Sequence, residues 1–82
     1  MKVYELTSFN IENQFFNEKR FFSNMKAAKE QYELLKDYLI YNHDLNPESI
    51  EYWGGEKQIL DGKFIICITT HDVVKSASGY LK

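Results

Sequence analysis

From Lys2 to Phe9 the chain reads KVYELTSF, a run rich in Val, Tyr, Leu, Thr and Phe that predicts a β-strand. A period of two sets Tyr4, Leu6 and Ser8 on one face and Val3, Glu5, Thr7 and Phe9 on the other. Asn10 to Gln14, NIENQ, carries two asparagines and predicts a turn. FFNEKRFF, Phe15 to Phe22, predicts a second strand, with Phe15 and Phe21 on one face and Phe16 and Phe22 on the other. A rival reading makes NEKR the loop of a hairpin between two very short strands. One strand is preferred, because it leads directly into a helix start.

Ser23 is the expected N-cap of that helix, its hydroxyl accepting a backbone N–H in the first turn. Phe22 and Ala27 stand where a hydrophobic staple would form. Met25, Ala28, Tyr32, Leu35 and Leu39 then recur at spacings of three and four, which is the seam of a helix. Ala27, Gln31, Leu34, Tyr38 and Tyr41 lie beside it and are expected to widen the apolar face, with charged residues filling the opposite side. The helix should stop near His43, since Pro47 disfavours a helical Asn46.

In the second half, SIEYW (Ser49–Trp53) predicts strand, and Gly54-Gly55 predicts a bulge or a turn. EKQIL leads to Asp61-Gly62, a two-residue hairpin signal, and KFIICITT (Lys63–Thr70) is the clearest strand. Pairing across Asp61-Gly62 would set Leu60 opposite Lys63 and Ile59 opposite Phe64. Phe64, Ile66 and Ile68 then share a face with Ile59, while Ile65, Cys67 and Thr69 point the other way. From Asp72 a short helical turn is expected.

The sum is an α+β fold of two layers, an antiparallel four-stranded sheet with one long helix in the order β-β-α-β-β. Residues 1–82 form a single compact domain, with residues 76–82 expected as a frayed tail. One helix covers one face of a sheet, so the other face is left for a partner or for a homodimer.

Composition narrows the function classes. Hydrophobic residues make up 44% of the 82, which argues against disorder. The net charge of −2 gives no general attraction to nucleic acid or to an anionic membrane. Five acids (Asp44, Glu48, Glu51, Glu56, Asp61) nevertheless face Lys57 alone between Asp44 and Asp61, either as a solvated surface or as an acidic patch for a basic partner. A single cysteine, Cys67, excludes an internal disulfide and fits a buried small hydrophobe in a reducing setting. MKVYELTSF turns polar too early for a signal peptide, and no stretch approaches a membrane span. The chain is expected to be cytoplasmic.

Few constellations point to chemistry. His43, His71, Cys67 and Asp72 are the possible metal ligands, but four strand residues hold Cys67 and His71 about 13 Å apart. That distance also fails a Cys–His pair. No serine has an activating context, and neither glycine pair forms a phosphate-cradling loop. No metal, cofactor or enzymatic activity is expected. Lys19, Arg20, Lys26 and Lys29 near phenylalanines form a weak nucleic-acid pattern, diluted by Glu18, Glu30 and Glu33. The partner-binding candidates are Trp53, Tyr52, Glu51, Glu56 and Tyr41, since interface hot spots favour Trp and Tyr.

KVYELTSF, a turn, FFNEKRFF-Ser23 and a helix opening with Asn24-Met25-Lys26-Ala27-Ala28-Lys29-Glu30 resemble small bacteriophage and prophage accessory proteins. The resemblance covers the first half of the chain and carries over no functional residue. It implies a small regulator or inhibitor in the host cytoplasm, binding a host or phage protein by steric occlusion. A nucleic-acid-binding regulator using the four basic residues is the alternative.

Overall fold

The computed structural model describes residues 1–54 and 56–73; the expected tail at 76–82 lies outside them. In chain order the elements are β1 (Lys2–Asn10), β2 (Phe15–Phe22), α1 (Met25–Asn42), β3 (Ile50–Tyr52), β4 (Lys57–Leu60) and β5 (Phe64–Asp72). All pairs are antiparallel, and the sheet runs β2-β1-β5-β4-β3. The α+β architecture with one helix is as expected, but the sheet has five strands rather than four. The chain reverses between Trp53 and Lys57: Trp53 N–H donates to the Lys57 carbonyl at 2.8 Å, and Ile50 pairs with Leu60. Gly54, at φ +75, supplies the left-handed turn that makes β3 and β4 separate strands.

The core lies between α1 and one face of the sheet. Ala28, Tyr32, Leu35 and Leu39 of the helix seam are buried against Leu6, Leu60, Phe64, Ile66 and Ile68, with Met25 and Tyr4 at the margin. Of the residues expected to widen the seam, Ala27 and Gln31 are half-buried, whereas Leu34, Tyr38 and Tyr41 point to solvent. A single sheet face accepts only the narrow strip spaced three and four apart. Asn24, not Ser23, caps the helix, its side-chain oxygen accepting the Ala27 N–H at 2.7 Å. Both residue types cap well, and the strand runs on to Phe22, leaving Ser23 as the connector. At the other end His43 donates to the Leu39 carbonyl, Asp44 turns left-handed at φ 52, and Leu45 folds back into the core.

Two registers differ from simple alternation. Asp61 and Gly62 both have positive φ and form the tight turn, with Lys63 N–H donating to the Leu60 carbonyl at 2.9 Å. The ladder resumes only at Leu60–Phe64, so Lys63 is looped out and Phe64 shares its face with Leu60 instead of Ile59. In β2 the pairing steps from Ser8–Glu18 to Phe9–Phe16, so Asn17 is an extra, bulged residue. That bulge re-sorts the phenylalanines. Phe16 and Phe21 lie on the face away from the helix, and Phe15 and Phe22 on the helix side, because they pair with Phe9, Glu5, Asn10 and Tyr4 respectively. β5 also runs two residues past Thr70, so Asp72 ends a strand and does not begin a helical turn.

Candidate functional site

The face that α1 leaves bare is ordered by register into rows that cross the sheet. Phe16, Phe9, Ile65 and Ile59 stand side by side on β2, β1, β5 and β4, and Glu51 on β3 ends the row. With strands about 4.8 Å apart, the four apolar side chains span about 14 Å. Phe9 and Phe16 meet edge to face, ring centres 5.0 Å apart. The next row is Lys19, Thr7, Cys67 and Lys57, with Trp53 opposite Lys57. Cys67 is half-buried in this row, where the sequence suggested a buried position; its sulfur lies 3.8 Å from Thr69 Oγ1.

Charges on this face are already engaged within the chain. Glu5 meets His71 Nε2 at 2.7 Å and Lys19 Nζ at 3.8 Å. Lys19 also lies over the Phe16 ring, and Lys57 over the Trp53 ring, 5.2 Å and 5.6 Å from the centroids. Trp53 Nε1 donates to Glu51 at 3.2 Å. Two glutamates and two lysines leave this surface balanced in charge.

The expected partner-binding residues divide between two sides. Trp53 and Glu51 belong to the open face. Tyr52 pairs with Gln58, whose side chain is buried on the helix side, and is itself 66% exposed at the sheet margin. Glu56 is half-buried just before β4, its carbonyl accepting from Ile68 N–H. Tyr41, 85% exposed, stands on α1 away from the others. The acidic 44–61 segment is partly structural: Asp61 accepts the Asn46 N–H at 3.0 Å, and Glu51 holds Trp53.

The four basic residues are divided as well. Lys19 is on the open face, whereas Arg20 pairs with buried Leu6 and reaches Glu18 at 2.6 Å and Gln31 at 3.2 Å on the helix side. Lys26 and Lys29 are exposed on α1. Arg20 and Glu18 also line a groove of about 580 Å³ between β2 and α1, floored by Leu35 and Leu39. Simple alternation could not reveal the Phe9–Phe16–Ile65–Ile59 row, because the bulge at Asn17 and the looped-out Lys63 bring it into line.

Among the described residues, no three His, Cys, Asp or Glu side chains converge as metal ligands, and no helix is long and apolar enough to cross a membrane. No protein-family model, curated protein or solved structure matches the chain.

Proposed function

We propose that the chain is a small non-catalytic binding protein whose open sheet face docks on another protein. The observation that carries this reading is the Phe16–Phe9–Ile65–Ile59 row, aligned across four strands on the face that α1 does not cover. Trp53 extends the surface at the β3 edge, as a hot-spot residue would. The partner's matching surface is apolar and close to neutral, because the lysines and glutamates of this face are matched among themselves. A polyanion would need free cations here, and Lys19 stands apart from Arg20, Lys26 and Lys29. The likeness of the first half to phage accessory proteins supports a regulator or inhibitor that works in the host cytoplasm by covering a surface of its target.

Capture with tagged protein tests the site. Replacing Ile59 and Ile65 by threonine keeps β-branched residues on the strands but removes the centre of the row. The double variant should keep the wild-type circular dichroism and lose the captured protein, whereas Tyr41→Ala should retain it. Equal capture by the Ile59→Thr/Ile65→Thr variant contradicts the reading.

A further inference from the structure

The sheet has two outer strands, and they are unlike. β3 has three residues, too short to offer much of an edge, whereas β2 has eight and lies at the other margin. Its outward backbone groups pair with no other strand among the described residues. The bulge and the charged centre Glu18-Lys19-Arg20 are devices that usually discourage edge pairing. Here they also make the edge complementary to itself.

Two copies that meet edge to edge in antiparallel fashion are related by a two-fold axis perpendicular to the sheet. Such an axis keeps each face on its own side, so only residues of the same face can stand opposite one another. With the axis at Lys19, Glu18 faces Arg20 of the second copy on the helix side, and Arg20 faces Glu18. One step further the bulged Asn17 drops out of the count, as it does against β1, and Phe16 faces Phe21 on the open side. Phe15 then faces Phe22. Stripped of Asn17 the strand reads FFEKRFF, symmetric about Lys19 with opposite charges flanking the centre. Without the bulge, Phe21 would face Asn17 and the symmetry would be lost.

Neighbouring registers are worse. An axis at Glu18 opposes two carboxylates and sets Lys19 and Arg20 against phenylalanines. An axis at Arg20 opposes two guanidinium groups and sets Lys19 and Glu18 against phenylalanines. At the favoured axis two Lys19 side chains meet, but each is engaged by Glu5 and by the Phe16 ring of its own chain. The pairing also covers Phe15, Phe16 and Phe21, which are 48%, 57% and 60% exposed in the single chain.

We propose that β2 pairs with β2 of a second copy about Lys19, giving a continuous ten-stranded sheet with Glu18–Arg20 pairs and phenylalanine pairs across the seam. Cross-strand pairs of this kind each contribute a few tenths to about 1 kcal/mol. Phe9, Ile65 and Ile59 of each open face stay free, Phe16 stands where the seam meets the docking row, and Glu18 and Arg20 lie on the helix side, so changes at those two positions report on the seam alone.

Sedimentation equilibrium over a micromolar concentration range provides the test. Wild type should dissociate from dimer to monomer on dilution. Glu18→Arg and Arg20→Glu each place like charges across the seam and should weaken self-association by about tenfold or more. An equimolar mixture of the two variants restores opposite charges on both sides of the axis and should recover association. Both positions are on the surface, so each variant should keep the wild-type circular dichroism. Wild type that stays monomeric overturns the proposal. So do single variants that associate as tightly as wild type, or a mixture no tighter than its components.

Discussion

Ile65 and Ile66 are adjacent on β5 and chemically identical, yet they occupy opposite faces of the sheet. Ile66 is 0% exposed beneath α1, among Leu6, Leu35 and Leu60, whereas Ile65 is partly exposed on the open face. Truncating a core isoleucine to alanine costs about 2–5 kcal/mol, transfer and cavity terms together. Three carbons at about 0.8 kcal/mol each, roughly two-thirds removed from water, give about 1.5 kcal/mol for Ile65→Ala, with no enclosed cavity to add to it. At roughly 0.05–0.15 kcal/mol per residue the whole chain has about 4–12 kcal/mol of stability, so Ile66→Ala removes a large share of it. Urea unfolding followed by circular dichroism should show this directly. With a slope of about 1 kcal/mol/M, the midpoint should fall by about 2–5 M for Ile66→Ala and by about 1.5 M for Ile65→Ala. Ile66→Val, at about 0.5–1.5 kcal/mol, keeps the comparison measurable if the alanine variant does not fold. Equal losses at the two positions would refute the assignment of a covered and an uncovered face. Dilute protein should be used, so that self-association does not add to the measured stability.

Two further perturbations probe the helix. Asn24→Ala removes the side-chain acceptor of the Ala27 N–H and should cost about 1 kcal/mol in urea unfolding, whereas Ser23→Ala should change little. Burial raises the Tyr32 hydroxyl above its ordinary 10.0, and the hydroxyl donates a long bond of 3.4 Å to the Ile66 carbonyl. The folded state therefore favours the neutral phenol. Its contribution is complete below pH 10 and declines as pH rises above that value, because the unfolded chain ionises first. Tyr32→Phe should flatten this alkaline decline while leaving stability at neutral pH within about 1.5 kcal/mol of wild type. An alkaline limb identical to wild type would place the loss elsewhere.

The two-layer plan was legible because long periodic segments report a burial pattern that tertiary contacts reinforce. The seam from Met25 to Leu39 and the strands β1, β2 and β5 are cases of this. What escaped were single-residue events. Asn17 carries no glycine or other mark of a bulge, yet its insertion moves Phe16 from the helix side to the open face. Lys63 is looped out after a turn that the Asp61-Gly62 pair identifies correctly, and this alone exchanges Ile59 for Leu60 beneath the helix. A double glycine is compatible with a bulge or a reversal, and only the Ile50–Leu60 pairing decides between them. The candidate site suffered most, since it exists only where four strands are in register. Trp53 was conspicuous from its chemistry, but its neighbours on the open face are Lys57 and Glu51, and Tyr41 stands on the helix.

The most direct test of the docking face compares capture by wild type with capture by the Ile59→Thr/Ile65→Thr variant, both at matched folded concentration. A protein retained by wild type, lost by this variant and kept by Tyr41→Ala is the expected result. Retention by the threonine variant at the wild-type level would contradict the assignment of the open sheet face as the binding surface.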